Sequence, residues 1–395
     1  MKPILLLLFI AFFNLSSAQT PFSLTQGNVT EKDYFTTIHY EEIKEKIIIE
    51  GIINGKIYKF ILDTGAPMVV SKKLSDELKL QSMRNIEIVD QSSLKDSANV
   101  VLLPNIKIGN INFNNIPAIV TKESIFDCFG IDGLIGSNLL KNSIIQFSSR
   151  EKIIRITDVP KKLDLKSKTG AKLLLDAQSN PFIWIEQVNG KVDAREQLLF
   201  DTGMGGLYDL SINHYKKHFE KINLFNFIAQ SVGTFSMGFH GNAEANENYK
   251  LLLPELAVNK IIFKNVTTTT TYDQNSRIGA TLLKYGTVTV DYKNRKFYFE
   301  PFEETKSFDI AEKEWPFNAI LEDGKMKIGI VWDKTYDEKI KVGDQIIAIG
   351  DINYEKMSFC EIVISDLKNL KIEKTVLILK DKASGETKKV EITRK

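Results

Sequence analysis

The chain has few cysteines and no excess of charge of either sign. Only two of its 395 residues are cysteine, Cys128 and Cys360, and one pair cannot staple a chain of this length into a disulfide scaffold. We expect them in different domains, as unpaired, half-buried thiols. Basic and acidic side chains number 52 and 50, and neither half is strongly basic, so we predict no nucleic-acid partner.

Histidine is also scarce, and several common catalytic motifs are missing. No Gly-x-Ser-x-Gly motif occurs, so a serine triad has no candidate site, and no phosphate-binding glycine loop is present. His214 and His218 would share one face of a helix, but no glutamate-bearing zinc motif surrounds them. We interpret them as a solvated helix face, and we predict neither a metal nor a cofactor.

Long hydrophobic runs are absent beyond the N-terminus. The run Ile4–Phe13 has ten residues, against the roughly 20 that span a bilayer. Lys2 precedes this run and Ser16-Ser17-Ala18 follows it, which is typical of a signal peptide cleaved before Gln19. We therefore predict a signal peptide at residues 1–18 and no membrane span. The exported protein would be secreted or periplasmic, as in a bacterium.

Residues 46–156 and 182–299 resemble each other in three blocks that occur in the same order. The paired blocks are IIIEGIINGKIYKFILDTG with FIWIEQVNGKVDAREQLLFDTG, LPNIKIGNINFNNI with LPELAVNKIIFKNV, and LIGSNLLKNSIIQF with RIGATLLKYGTVTV. Runs of Ile, Val, Phe and Thr predict strands, and each Asn-Gly pair predicts a hairpin. The predicted fold class is all-β, with two pseudo-symmetric lobes at residues 19–158 (lobe 1) and 159–304 (lobe 2). Short helices are expected near Ser71–Leu80 and Ser211–Ile222.

Each half carries an Asp-Thr-Gly tripeptide at the end of an apolar strand, Asp63-Thr64-Gly65 and Asp201-Thr202-Gly203. If the two loops face one another, their carboxylates come within hydrogen-bonding distance. Like charges at that distance share one proton, so the pair can hold and activate a water molecule. The two aspartates of aspartic proteases are the well-known example of such a pair. The sequence thus predicts Asp63 and Asp201 as catalytic residues.

The two halves resemble two retropepsin-like aspartic protease units fused in one chain, over roughly residues 45–300. Asp63-Thr64-Gly65-Ala66 carries the resemblance most closely. It implies that Thr64, Gly65, Thr202 and Gly203 brace the loops, and that Leu134-Ile135-Gly136 and Arg277-Ile278-Gly279 pack against them. Met204 departs from the small residue that is usual at its position.

Members of that family close a flexible hairpin over the substrate. Residues 231–244, with Gly233 and Gly238, are spaced like such a flap. The equivalent residues 89–99 of lobe 1 are polar and lack glycine. An ordinary exposed hairpin is the alternative for both segments.

Residues 305–395 differ from the repeat and form a third predicted unit, the C-terminal domain. The segment Val342–Ile349 resembles the Gly-Asp-x-Ile-x-x-Ile signature of PDZ domains. That resemblance implies a small β domain with a helix near Phe359–Leu370, beside which a peptide adds as a strand. Its carboxylate-binding loop would lie near Phe317, without the usual glycines, so internal peptides or an intramolecular regulatory contact are alternatives to a free C-terminus.

The sequence leaves two functions open. The first is an exported aspartic endopeptidase acting on polypeptide or peptide substrates, with a PDZ-like domain for substrate recruitment or regulation. The second is a non-catalytic peptide-binding protein that keeps the protease fold, suggested by Met204 and the unequal flaps. The oligomeric state, the substrate and a removable prosegment in residues 19–45 are not determined by the sequence.

Overall fold

The computed structural model describes residues 22–89, 95–122, 125–165, 170–235, 237–238, 241–365 and 372–395. The predicted signal peptide lies outside these ranges, as do the centre of the lobe 1 flap region, residues 90–94, and the end of the predicted C-terminal helix, residues 366–370. Within the described ranges, no helix is long and apolar enough to cross a bilayer.

Lobe 1 is built mainly from strands, as the β-branched runs predict. Its strands are β1 (Asn28–Val29), β2 (Phe35–His39), β3 (Glu41–Ile43), β4 (Lys46–Ile53), β5 (Lys56–Asp63), β6 (Val69–Ser71), β7 (Ser82–Val89), β8 (Lys95–Ile108), β9 (Ile111–Thr121), β10 (Gly133–Gly136), β11 (Ile144–Ser148) and β12 (Ile153–Thr157). Its helices are α1 (Lys72–Glu77), α2 (Ile125–Phe129) and α3 (Ser137–Leu140), followed by a 3-10 turn at Pro160–Leu163.

Lobe 2 repeats much of this order. Its strands are β13 (Ala171–Leu175), β14 (Pro181–Asn189), β15 (Val192–Asp201), β16 (Tyr208–Ser211), β17 (Asn226–Gly233), β18 (Met237–Gly238), β19 (Gly241–Asn242), β20 (Asn246–Val258), β21 (Ile261–Thr271), β22 (Arg277–Gly279), β23 (Gly286–Asp291) and β24 (Lys296–Pro301). Helix α4 (Ile212–His214) runs into a π-helical turn at Tyr215–Phe219, and a 3-10 turn covers Ala280–Lys284.

The remaining strands lie in residues 305–395. They are β25 (Ser307–Asp309), β26 (Phe317–Glu322), β27 (Lys325–Val331), β28 (Gln345–Ile349), β29 (Ile352–Asn353), β30 (Lys374–Lys380) and β31 (Thr387–Thr393). Helix α5 (Phe359–Ile364) and two 3-10 turns, Lys334–Tyr336 and Tyr354–Lys356, complete the described elements. β25 pairs with β21, so the segment that joins lobe 2 to the C-terminal sheet is held against lobe 2.

The two lobes share a sheet. One sheet has the order β1-β9-β6-β10-β5-β4-β8-β7, and a larger one has the order β17-β20-β21-β16-β22-β15-β14-β13-β24-β23-β11-β12-β2. Since β11 of lobe 1 pairs with β23 of lobe 2, the lobes are joined by backbone hydrogen bonds. One hydrophobic core also runs through both lobes, whereas the C-terminal sheet β26-β27-β28-β30-β31 has its own core.

The predicted Asn-Gly hairpins both form, with one difference in register. Ile53 pairs with Lys56, and Asn54 and Gly55 both have positive φ, as a type I′ turn requires. In lobe 2, Asn189 pairs with Val192, so the turn consists of Gly190 and Lys191 instead. Only Gly190 takes the positive φ there, which is the arrangement in which glycine comes first in the turn.

The prediction of two unpaired thiols is wrong. Cys128 in α2 and Cys360 in α5 form a disulfide across a sequence separation of 232 residues. The C-terminal domain folds back onto lobe 1, and this brings the two short helices together. A tertiary contact of that range has no local sequence pattern. The pair is therefore a crosslink between lobe 1 and the C-terminal domain, not a scaffold of the whole chain.

Candidate active site

Each predicted catalytic aspartate ends a strand in the interior of a sheet. Asp63 ends β5, whose alternate residues Phe60 and Leu62 are fully buried in the core. β10 runs parallel to β5 and places Gly136 beside Asp63, and β22 places Gly279 beside Asp201 in the same way. The backbone around both carboxylates is thus fixed by paired strands on either side.

The glycines of the two tripeptides allow the loops to meet. A Cβ atom on Gly65 would lie 2.6 Å from Cγ of Asp201, and one on Gly203 would lie 2.2 Å from Oδ2 of Asp63. No side chain tolerates contacts that short, so glycine is required at both positions. Each aspartate therefore touches the glycine of the opposite lobe.

The two threonines cross-link the loops through four hydrogen bonds. The Thr64 hydroxyl donates to the carbonyl of Phe200 (2.6 Å) and accepts from the Thr202 N–H (3.0 Å). The Thr202 hydroxyl donates to the carbonyl of Leu62 (2.8 Å) and accepts from the Thr64 N–H (3.1 Å). Both threonines are fully buried. The exchange is symmetric and fixes the spacing of the two aspartates.

Backbone N–H groups orient the carboxylates. The Gly65 N–H donates to Oδ1 of Asp63 at 2.9 Å. Gly203 and Met204 both donate to Oδ1 of Asp201, at 2.8 and 3.1 Å. The unusual Met204 therefore holds Asp201 in place through its backbone, an interaction that its side chain does not alter.

Each carboxyl group lies against the glycine of the opposite loop, so the two share one site. Burial, followed by the neighbouring Asp201, raises the pKa of Asp63 to about 7, while Lys46 opposes the shift. Asp201 is only 6% exposed. The pair thus has the geometry and the proton affinity to keep one proton at neutral pH.

Two cations beside the pair were not predicted from the sequence. Lys46, the first residue of β4, donates to the carbonyl of Gly203, and burial lowers its pKa although Asp63 and Asp201 oppose that shift. Arg277 lies with Nη1 3.4 Å from Oδ2 of Asp201. The repeat does mark Arg277, because it aligns this charged residue with the apolar Leu134. Nothing in the sequence distinguishes Lys46 from the other lysines of the strands.

The stability of the fold is expected to depend on Asp63 in a pH-dependent way. Because the pKa of Asp63 rises from 3.8 to about 7 on folding, the folded state binds more protons in that window, and stability falls as the pH rises through it. Asp63→Asn should therefore be more stable than the wild type at pH about 7.5, by about 1–3 kcal/mol, and should lose this advantage near pH 4. Thermal unfolding at the two pH values measures the difference.

A matched control for this prediction is Glu50→Gln, which changes an exposed carboxylate on the neighbouring strand β4. It should leave the melting temperature unchanged at both pH values. Equal melting temperatures for Asp63→Asn and wild type at neutral pH would show that the carboxylate is not held in a desolvated site.

The predicted flap of lobe 2 contacts the C-terminal domain. Gly233 ends β17, and its Cα lies so close to β27 that a Cβ would be 2.3 Å from the carbonyl oxygen of Gly329. Gly238 pairs with Gly241 in the small β18–β19 hairpin. Phe317, the predicted peptide-binding residue, is 5% exposed and packs in the core of the C-terminal domain. Their functional roles stay predictions.

His214 has a structural partner. Its Nδ1 lies 2.8 Å from Oε1 of the buried Glu196, which also accepts from Tyr208 at 2.8 Å. Among the residues that the structure describes, no group of three or more His, Cys, Asp or Glu side chains is placed to hold a metal ion. His214 is thus held by a contact within lobe 2, while His218 is exposed.

Comparison with known proteins supports an aspartic protease in one part of the chain. Residues 49–139, which include Asp63, Thr64 and Gly65, match the family described as "Aspartyl protease". No curated protein matches the chain at a significant level.

Similarity to solved structures is remote. A retropepsin-like aspartic protease from Rickettsia conorii is 19% identical over 33% of this chain and 93% of its own, with a TM-score of 0.23. Conglutin gamma, a basic 7S globulin from lupine seeds, is 13% identical over 68% of this chain and 96% of its own, with a TM-score of 0.42. Basic 7S globulin from soybean is 10% identical over 67% and 94%, with a TM-score of 0.36.

Proposed function

We propose that this chain is an exported aspartic endopeptidase, with Asp63 and Asp201 as its catalytic pair. The observation that carries the proposal is the meeting of two equivalent strand-end carboxylates, each against the glycine of the opposite loop, with the loops locked together by Thr64 and Thr202. Such a pair needs no metal and no nucleophilic side chain. The match of residues 49–139 to aspartyl proteases agrees with this chemistry.

The reaction uses one water molecule and the shared proton. The ionised carboxylate removes a proton from water as the water oxygen attacks the peptide carbonyl carbon, and the protonated carboxyl donates to the carbonyl oxygen. The resulting gem-diol then collapses and the C–N bond breaks: the carboxyl that took the proton from water passes it to the amine nitrogen, and a gem-diol hydroxyl returns a proton to the other carboxylate. The buried, backbone-held carboxylates are oriented before substrate binds, so little reorganisation is needed.

The test is digestion of an unfolded protein and of a mixed peptide library by the purified mature chain. Each digestion is done with and without a dithiol, which reduces the Cys128–Cys360 disulfide. We expect internal cleavage that a statine-type transition-state analogue blocks. Cleavage that the analogue leaves untouched would assign the activity to another site or a contaminant. Mass spectrometry of the exported protein should also show a mature N-terminus at Gln19, and the observed disulfide suits an oxidising compartment.

The pH profile should reflect the shared proton. Because the pKa of Asp63 is raised to about 7, the active singly protonated pair is lost as the pH rises through neutrality. We expect kcat/KM to decline above pH about 7, as measured with one peptide substrate at constant ionic strength. A rate that still climbs in mildly alkaline buffer would contradict the assignment of the proton to this pair.

The C-terminal domain fits regulation better than recruitment. If it is PDZ-like, a peptide would add along the edge strand β26, but Asn242 of the lobe 2 hairpin already donates to the Leu321 carbonyl of that strand at 2.8 Å. The site expected for a partner peptide is thus next to a segment of the same chain.

A non-catalytic peptide-binding protein is the second candidate. It is favoured by the position of the C-terminal domain, which covers the surroundings of the proposed site. Val363 of this domain is buried in one cluster with Val69 and Leu134 beside the Asp63 loop. Binding of the statine-type analogue without any turnover, in the presence of dithiol, would support this alternative.

A further inference from the structure

The two catalytic aspartates have different neighbours at equivalent positions. In lobe 1, Gly136 lies beside Asp63, and Leu134, two residues earlier, pairs with Val69. In lobe 2, the same register puts Gly279 beside Asp201 and pairs Arg277 with Asp209. An apolar pair beside one aspartate is thus replaced by a charged pair beside the other.

Arg277 is a buried cation that lies close to three carboxylates of lobe 2. Its side chain is 8% exposed, with Nη2 2.5 Å from Oδ2 of Asp209 and Nη1 3.4 Å from Oδ2 of Asp201 and 3.5 Å from Oδ2 of Asp273. Burial works against its charge, but these carboxylates outweigh that effect and raise its pKa. The guanidinium therefore stays charged and acts on Asp201 from one side.

Other charges around the pair do not cancel this asymmetry. The groups that act on the two carboxyls or on the cations beside them are Lys46, Glu45, Asp209, Asp273, Arg277 and Tyr292. Lys46 interacts with Asp63 and then with Asp201, and the pKa of Asp63 stays raised although Lys46 opposes that shift. Arg277 contacts Asp201 directly, and its counterpart near Asp63 is the uncharged Leu134.

We propose that Arg277 is a positioning residue that holds the negative charge on Asp201 and leaves the shared proton on Asp63. This rests on the proposed peptidase function and assigns its steps: Asp201 removes the proton from water, and Asp63 protonates the carbonyl oxygen. A buried cation beside one of two coupled carboxyls favours ionisation of that one. The raised pKa of Asp63 agrees with this assignment.

The test replaces the charged pair of lobe 2 by the apolar pair of lobe 1, in Arg277→Leu/Asp209→Val. Changing both residues avoids leaving Asp209 buried without its main partner, which could unfold the lobe. We expect the acidic limb of the kcat/KM profile to move up by about 1–3 pH units. Arg277→Lys should restore most of the wild-type profile, and Arg195→Leu, which removes an exposed arginine of lobe 2, should not shift it.

A carboxyl-selective NMR titration of Asp63 and Asp201 gives a readout that needs no turnover. In the wild type the shared proton should stay on Asp63, and in the double variant it should be divided more evenly between the two carboxyls. An unchanged division of the proton in the double variant would overturn the proposal. Absence of cleavage by the wild type, with the expected titration, would instead refute the peptidase function alone.

A second and independent observation concerns the sheet face that carries Asp63. Side chains alternate along β5, so Ile61 and Asp63 project from the same face. Ile61, Val69 and Leu134 on this face form a buried cluster that includes Val363 of helix α5, and Leu321 of β26 packs against it. The apolar wall next to Asp63 is thus covered by the C-terminal domain.

The C-terminal domain is attached to both lobes. On lobe 1, the Cys128–Cys360 disulfide joins α2 to α5, and Nζ of Lys44 donates to the carbonyl of Val363 at 2.7 Å. On lobe 2, the N–H of Thr234 donates to the carbonyl of Gly329 at 2.9 Å. The covalent attachment is to lobe 1, and the contact with the predicted flap is non-covalent.

We propose that the C-terminal domain is a latch that keeps the sheet face beside Asp63 covered while the disulfide is intact, and that a dithiol reductant releases it. Thiol–disulfide exchange converts the Cys128–Cys360 bond into two thiols, and the dithiol becomes a disulfide. Without the crosslink, the covalent tether is the chain around Ser307–Asp309, and the domain separates from lobe 1 more easily because its other contacts are non-covalent. This latch also rests on the proposed peptidase function.

The experiment compares peptide hydrolysis by the wild type, Cys128→Ser/Cys360→Ser, and that double variant with Val363→Asp added. We expect dithiol to raise wild-type activity by about 10-fold or more, and both variants to be active without it and insensitive to it. Val363→Asp places a charge in the apolar cluster and guards against a domain that stays docked without the crosslink.

Hydrogen exchange at the Thr234 amide reports opening without turnover, since this N–H donates across the interface. Its exchange should speed up in the variants and in the reduced wild type. Equal protection and equal activity in the oxidised wild type and the triple variant would overturn the latch. Faster exchange with no cleavage in any form would keep the latch and refute the peptidase.

Discussion

Replacing Asp63 by asparagine is expected to lower kcat/KM for a peptide substrate by about 1,000-fold, and Asp201→Asn by a similar factor. The amide cannot take part in the proton exchange with water and carbonyl oxygen, although it fits the same space. Steady-state kinetics at the optimum pH, with dithiol present, measure the loss. Circular dichroism should show an unchanged fold, because the backbone donors to both residues belong to neighbouring loop residues.

The double variant Asp63→Asn/Asp201→Asn should be no worse than either single variant, since the two carboxyls act as one unit. Glu50→Gln, on the strand next to β5, should retain full activity. More than a tenth of wild-type activity in Asp63→Asn would remove this residue from the mechanism.

Loss of the threonine exchange should have the largest effect on stability. In Thr64→Val/Thr202→Val, four hydrogen bonds disappear and two N–H and two C=O groups are left buried without these partners. Each unsatisfied buried group costs about 1–3 kcal/mol, so we expect the free energy of unfolding to fall by about 4 kcal/mol or more. Urea unfolding followed by tryptophan fluorescence measures the change.

The matched control is Thr64→Ser/Thr202→Ser, which keeps both hydroxyls and removes only two methyl groups, at about 1 kcal/mol each. Activity should follow the same order, because the exchange sets the distance between Asp63 and Asp201. Equal stability of the valine and serine variants would show that the hydroxyls do not lock the lobes together.

The local features of this fold could be predicted because each depends on neighbours in sequence. Alternating apolar runs predicted most strands, and Asn54-Gly55 predicted a tight turn because both residues tolerate positive φ. The helix predicted near Ser71–Leu80 also forms, as α1, where the Ser71 hydroxyl caps the Leu74 N–H. In lobe 2 the helix is shorter than Ser211–Ile222 and turns π-helical after His214.

The repeat extended prediction beyond neighbouring residues. Two copies of Asp-Thr-Gly at equivalent places indicated that their loops meet, because an internal twofold brings equivalent positions together. The downstream glycines Gly136 and Gly279 lie against the loops as the family resemblance implied, where a Cβ would be 2.2 Å from the carbonyl oxygen of Ala66 and 2.5 Å from that of Gly206. Predicting Lys46 beside the pair was not possible, since its place follows from the packing of one lobe against the other.

By itself, then, the sequence determined the strand pattern, the two aspartate loops and their pairing, because strand propensity, turn geometry and an internal repeat are written in short segments. Only the tertiary structure decided that Arg277 reaches Asp201, that Cys128 meets Cys360, and that Val363 covers the wall beside Asp63. The first two of these contacts join residues 76 and 232 positions apart (277 − 201 and 360 − 128). The first depends on the pairing of distant strands within lobe 2, and the other two on the docking of the C-terminal domain through buried apolar surface, which no local pattern encodes.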